Sequence, residues 1–403
     1  MKDNSFAFGS WVYNPLSDFT PEEVDTWKEF GLNVTVTPML QYGRDDLKTM
    51  IPFLDKAAEA GIRLIVFIGG LSYGDLAHIG EEKYRERFTE VYNLYKGHPA
   101  LEGFVIGDEP NGIKSMDATK AAVRIQLEVA PELDPYINFQ GSTYARSNNF
   151  REGETYEEWF HNFVKETGVR KICFDTYNST INYEGIPWQL MEIREMVSVC
   201  EKEGVEAWVT LLCSGHLAYH APSEYEQCMQ VHSAAALGCK GVTWFRMYDR
   251  DIAPEYSGSP IDEFGNRTEA FNGMMRVMRR FSLQYGEIFM KLKRTKTYRI
   301  GKKDGGYPEF VEGCHDVIKS IDCLDDLIVS FFEDPDGIEY MVLVNLSLDI
   351  RYAALTINLY EGKGSLFISI LNGKNEEELG TGSAADGQYL RPGELRLYRV
   401  EKV

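Results

Sequence analysis

The chain has 403 residues, 44% of them hydrophobic and 26% charged, and its formal net charge is −20. That length exceeds one ordinary domain and suits a barrel with something smaller attached. Its 62 acidic against 42 basic residues repel polyanions, which argues against a nucleic-acid or acidic-lipid partner. No apolar run approaches the ~18 residues a membrane span requires.

The opening MKDNSFAFGSW lacks the charged-then-apolar pattern of a signal peptide, so the expectation is a cytoplasmic protein, or a secreted or periplasmic one whose signal was removed. Seven cysteines, an odd number, lie mostly in apolar segments and form no CxxC pair. They read as small hydrophobes in a reducing compartment.

In chain order, apolar β-like runs appear at Phe6–Val12, Asn33–Pro38, Arg63–Ile68, Leu101–Ile106, Tyr136–Gln140, Lys171–Asp175, Ala207–Leu212 and Gly241–Phe245. Amphipathic helical stretches separate them. Thr20-Pro21-Glu22-Glu23 and Ser223-Glu224-Tyr225-Glu226 have capping-box spacing. Gly31, Gly61, Gly168, Gly204 and Gly238 stand where helices should end ahead of a strand. Eight such alternations predict an α/β fold, a (β/α)8 barrel rather than an open sheet. No GxGxxG follows the first strand, which disfavours a dinucleotide fold.

From about Tyr298 the period changes. Ile328–Phe332, Glu339–Asn345, Ala354–Asn358, Ser365–Leu371 and Glu394–Val400 read as short strands, with Asp334-Pro335-Asp336-Gly337 as a turn. The expected division is a barrel over 1–295 and a small antiparallel β-sandwich over 296–403.

The most informative segment is LEGFVIGDEPN, residues 101–111. A buried parallel strand reads as a continuous apolar run, and here one stops at Asp108, Glu109 and Pro110. Adjacent carboxylates at the carboxyl end of a barrel strand stand where such barrels place catalytic groups. Side chains alternate along a strand, so both acids reach one site only if the chain turns at Gly107 or Pro110. The plainer alternative is that the acids and Pro110 cap the next helix.

The other strand ends supply Trp11 and Tyr13, Gln140, Asp175 with Tyr177 and Asn178, His216, and Trp244 with Arg246. Carboxylates among aromatics and amides suit a sugar, whose ring faces stack and whose hydroxyls hydrogen-bond. Two carboxyl groups can break a glycosidic bond, one protonating the leaving oxygen and one meeting the developing cation. Glu109 beside Asp108 is the candidate acid, because a neighbouring negative charge favours its protonated form. His216 and His220 have HxxxH spacing, but no further histidine is close in sequence, so no metal is expected. No GxSxG elbow or P-loop is present.

On these residues the chain resembles the (β/α)8 glycoside hydrolases, especially the β-galactosidase and cellulase-like clan. HPALEGFVIGDEPN is similar to that clan's fourth-strand segment, and Glu109 matches its acid/base glutamate, with Asp108 replacing an Asn. Trp244 in GVTWFRMYD resembles the eighth-strand tryptophan, which implies a sugar platform. The clan's strand-seven nucleophile has no counterpart: Glu206 begins that strand, about 20 Å from the mouth. The Asp-Glu-Pro triplet also resembles that of substrate-assisted β-N-acetylhexosaminidases, which implies Asp108 as orienter, Glu109 as acid and Tyr177 as a ligand of the acetamido oxygen. Alternatives are a two-carboxylate enzyme using Glu109 with Asp175, and a non-catalytic carbohydrate-binding barrel. The resemblance implies a carbohydrate substrate and no cofactor. The sequence carries no signature of an oligomeric state.

Overall fold

Eight short parallel strands, each followed by at least one helix, form the first three quarters of the chain. They are Ala7–Ser10, Val34–Val36, Arg63–Val66, Leu101–Asp108, Tyr136–Gln140, Lys171–Asp175, Glu206–Leu212 and Gly241–Phe245, barrel strands one to eight. The structure, a computed structural model, describes residues 5–142, 149–180, 185–249, 255–347, 352–379 and 388–403. Strand one pairs with strand eight, and the ladder continues strand by strand in descending order round to strand two.

The seam between strands one and two is closed partly by side chains. The Asn33 backbone N–H donates to Phe8 O at 3.1 Å, and the Phe8 N–H donates to the side-chain Asn33 Oδ1 at 2.8 Å. Thr35 Oγ1 accepts from Ser10 N at 3.2 Å and donates to Ser10 O at 3.0 Å. Gly9 permits this approach, since a Cβ there would lie 2.6 Å from Val34 O.

Helix ends follow the local signals with one exception. Ser223 caps Glu224–Ala236 with both capping-box bonds formed, and Thr155 does the same for Tyr156–Thr167. The box expected at Thr20 does not form: helix Glu23–Phe30 has no side-chain cap bond. Glu23 N instead bonds to Thr20 O, and the Glu23 carboxylate accepts from Tyr248 OH at 2.8 Å. A tertiary partner has taken the acid from its local role.

Glu102, the one acid in the strand-four apolar run, is buried at the opposite end of the barrel from the candidate site. It accepts from Lys171 Nζ at 2.6 Å and Arg63 Nη1 at 2.7 Å. Burial opposes its ionisation, but these two cations outweigh it and lower the pKa.

The remaining chain forms an antiparallel sandwich. A six-stranded sheet runs in the order Lys293–Ile300, Leu327–Glu333, Glu339–Asn345, Leu395–Lys402, Gly364–Ile370, Asn375–Leu379. Facing it are Ile318–Cys323, Ala353–Leu359 and Gln388–Leu390. The central strands are apolar on both faces because both are covered. Val329, Phe331 and Leu343 face the sandwich interior, while Ile328, Phe332, Val342 and Val344 join the barrel's own core. Phe332 meets Phe289 edge-on at 5.6 Å. The sequence pattern does not give Lys293–Ile300, Ile318–Cys323, Asn375–Leu379 or Gln388–Leu390, all at sheet edges, and Lys293–Ile300 and Asn375–Leu379 carry the charged residues that edges favour.

Candidate active site

Inside the barrel, inward-pointing polar groups build a column beneath the carboxyl-end mouth. Tyr136 OH contacts Thr243 Oγ1 at 3.1 Å, Thr243 contacts Thr210 Oγ1 at 2.7 Å, and Thr210 donates to Asn138 Oδ1 at 2.8 Å. Asn138 is thereby fixed with its amide outward, and Nδ2 donates to Asp108 Oδ1 at 2.9 Å. Tyr13 OH donates to the other oxygen, Oδ2, at 2.7 Å.

Strand four turns where both acids require it. Gly107 has φ 147° and lies against the ring of Tyr73, where a Cβ would come within 2.6 Å. Tyr73 OH donates to Asp108 O at 2.9 Å. Glu109 then adopts the left-handed φ of 42°, its N–H bonded to Asn138 O at 2.8 Å. A non-glycine residue at such an angle costs on the order of 1 kcal/mol. The kink carries the Glu109 side chain onto the same cavity as Asp108. The capping alternative fails, because helix Ile113–Val129 begins at Gly112 with no side-chain cap.

The cavity is about 330 Å³ and is lined by Trp11, Tyr13, Asp108, Glu109, Asp175, Tyr177, His216 and Arg246, among others. Burial, offset in part by Asn138 and Tyr13 and reinforced by the Glu109 charge, pushes Asp108 up to about 6. Asp175, delivered by strand six, is raised well above the usual carboxylate range. Burial is the largest cause, followed by the Glu109 charge and a hydrogen bond that the protonated Asp175 makes to Glu109. Gln140 Nε2 reaches Glu109 Oε2 at 3.4 Å, and its Oε1 is buried without a partner among the described residues.

Aromatic rings wall this acid cluster. Trp11 stacks on Tyr13 at 5.3 Å and 12°, and Phe245 approaches Tyr13 and Tyr177. His216 stacks on Tyr256 at 5.3 Å and 14°. Arg246 lies over the Tyr256 ring at 5.1 Å and donates from Nε to Tyr248 O.

Three expected binding residues, Gln140, Trp244 and Asn178, are not part of the cavity lining. Trp244 is 0% exposed and points outward, donating from Nε1 to Met278 Sδ at 3.3 Å. Strand alternation explains this: Thr243 faces inward to Tyr136, so Trp244 faces the helices and Phe245 faces the cavity. Asn178 is buried and is not part of the lining. Phe245, Tyr256, Asn138 and Thr210 line the cavity and were not singled out in the sequence. Phe245 follows from alternation only once Thr243 is known to face inward, which its contacts with Tyr136 and Thr210 show. Tyr256 lies in a two-residue strand, Tyr256–Ser257, that pairs with Gly215–His216 and is too short to leave a periodic signal.

His220 pairs with Glu226 at 2.6 Å rather than joining His216. Among the described residues, no group of three or more His, Cys, Asp or Glu is placed to hold a metal. Glu206 accepts from Trp208 Nε1 and borders the charged cavity at the barrel's amino end, so strand seven brings no carboxylate to the mouth.

No protein-family model matches the sequence, and no curated protein matches it. Solved structures do. One titled a glycoside hydrolase family 5 from Bacteroides vulgatus aligns at TM-score 0.60 and 13% identity, covering 98% of this chain and 89% of that one. Another, titled glycoside hydrolase, gives 0.60 at 11% identity over 98% and 92%. The cold-adapted β-galactosidase from Rahnella sp. R3 gives 0.55 at 14% identity over 69% of this chain. The chain spans 56–60% of that enzyme and of the Marinomonas ef1 β-galactosidase. The chain therefore has a (β/α)8 fold with a following β-sandwich, and the two alignments over 98% of it extend across both. No helix among the described residues is long and apolar enough to cross a membrane.

Proposed function

We propose that the protein is an exo-acting glycoside hydrolase with Glu109 as general acid/base, Asp175 as the second working carboxyl and Asp108 as the group that holds the pair in register. One observation carries the reading. Three carboxyl groups from strands four and six meet in a small aromatic-walled cavity at the carboxyl end of the barrel, where such folds place their chemistry. A volume of about 330 Å³ is at the small end of ligand sites and suits one sugar ring, which favours cleavage from a chain end. Tyr13 and Phe245 offer ring faces to it.

In this reading Asp175 carries a proton and hydrogen-bonds through it to Glu109. A sugar entering between them separates the two groups. The proton passes through Glu109 to the leaving oxygen, the bond from that oxygen to the anomeric carbon breaks, and the Asp175 carboxylate faces the developing cation. Water then adds to the anomeric carbon and gives up a proton to a carboxylate.

A substrate-assisted reading is favoured by the position of Tyr177. It lies close enough to Asp175, Asp108 and Glu109 for all three charges to raise its pKa, after burial as the main cause. In that reading Asp108 orients an acetamido group whose oxygen attacks. A panel of aryl glycosides with and without a 2-acetamido group, run on wild type, Glu109→Gln and Asp175→Asn, separates the two. Cleavage of simple hexosides lost in both variants supports the Glu109–Asp175 pair. Cleavage restricted to N-acetylhexosaminides transfers the second role to the substrate, and silence across the panel removes the enzymatic reading.

A further inference from the structure

Away from the barrel mouth, a groove of about 690 Å³ runs between helices Glu224–Ala236 and Glu269–Gln284 and the edge of the sandwich. It is about twice the volume of the catalytic cavity and within the roughly 300–1,000 Å³ of small-molecule sites. Three tyrosines on its walls are open to solvent: Tyr225 at 46%, Tyr352 at 52% and Tyr389 at 59%.

The groove also concentrates cations on a chain whose net charge is −20. Arg276 is held by Glu224, and Arg396 by Glu394 and Gln388. That uses both of the groove's acids. Arg280 and Arg391 are exposed, and among the described residues their guanidinium groups make no ion pair or hydrogen bond. His232, also in the lining, adds no charge near neutral pH, since burial lowers it to about 4.

Two free guanidinium forks call for a carboxylate or sulfate, which they bind bidentately. Exposed tyrosine faces, each with a hydroxyl, suit the flat apolar face and the hydroxyls of a sugar ring. We infer that this groove is a second saccharide site, selective for an anionic oligosaccharide, with Arg280 and Arg391 reading the acid and the tyrosines supporting the rings. The inference extends the carbohydrate reading to a site separate from the carboxyl cluster, and its test is independent of turnover.

The test is calorimetric titration of the full chain with trigalacturonate, a sulfated disaccharide, neutral maltotriose and sodium sulfate. The expected result is binding of an acidic saccharide, weakened at least tenfold in R280A/R391A and in Tyr352→Ala and unchanged in Glu109→Gln. Aryl-glycoside turnover by R280A/R391A should equal that of wild type. R280E/R391E, checked by circular dichroism, guards against a misfolded variant. No binding of either acidic saccharide, or binding indifferent to the arginine pair, overturns the inference. Equal affinity for inorganic sulfate reduces the groove to an anion site and overturns the saccharide part. If the arginine variants instead change the sedimentation coefficient, the groove is an interface between copies and the inference fails. Failure here leaves the catalytic proposal standing, and loss of turnover in Glu109→Gln leaves this one standing.

Discussion

Asp108 is the acid whose environment is most fully specified, and replacing it by Asn gives a quantitative test. Asn138 is locked by Thr210, so its Nδ2 continues to donate to the new side-chain oxygen, and the Tyr13 hydroxyl rotates to accept from the new amide. The variant therefore keeps both hydrogen bonds and loses only the ionisable proton. In the wild type, burial first and the Glu109 charge last raise Asp108 from its ordinary 3.8 to about 6. A raised folded-state pKa means that the folded chain holds the proton more tightly than the unfolded one. Its contribution to stability is full below the unfolded pKa and is lost as pH rises through the folded value. At about 1.4 kcal/mol per tenfold change in proton affinity, the loss amounts to about 3 kcal/mol above about pH 7. Asp108→Asn should thus be more stable than wild type by up to that amount at neutral pH, and by less than about 1 kcal/mol near pH 4. Urea unfolding at a series of pH values reads the difference. Parallel stability curves for the two proteins would refute the electrostatic account of this site.

Other expectations follow from the same geometry. Trp244→Phe should lower stability by about 1–3 kcal/mol and leave KM for a cleaved glycoside unchanged, whereas Phe245→Ala should raise KM; thermal unfolding and steady-state kinetics check both. Lys171→Met leaves Glu102 buried with Arg63 as its remaining partner and should cost about 3–5 kcal/mol, measured by calorimetry with activity as a control. Ser223→Ala removes one capping-box bond and should cost about 1 kcal/mol, seen as a small drop in Tm without kinetic effect.

The barrel was legible because its signals are local and repeated. Apolar runs of strand length alternate with capped helices, and Ser223 and Gly168 punctuate them as expected. The double-acid turn was legible for the same reason: alternation forbids Asp108 and Glu109 from sharing a face, and Glu109 at φ 42° is the required break. Trp244 was misread because size drew attention from phase. One inward residue fixes a strand's faces, and Thr243 shows its orientation only through its contacts with Tyr136 and Thr210, both distant in sequence. The charged edge strands Lys293–Ile300 and Asn375–Leu379 were hidden because the residues that protect an edge from pairing also erase its strand pattern. Thr20 failed as a cap because Glu23 found Tyr248, a partner no local window contains.

The central claim is that Glu109 delivers a proton to a glycosidic oxygen. The most direct test compares kcat/KM of wild type and Glu109→Gln on aryl glycosides of graded leaving-group pKa. The account predicts a loss of about 10²–10⁴-fold for poor leaving groups, which need the acid, shrinking toward none for the most acidic phenols. A Glu109→Gln enzyme that matches wild type on poor leaving groups, or a loss independent of the leaving group, would contradict it.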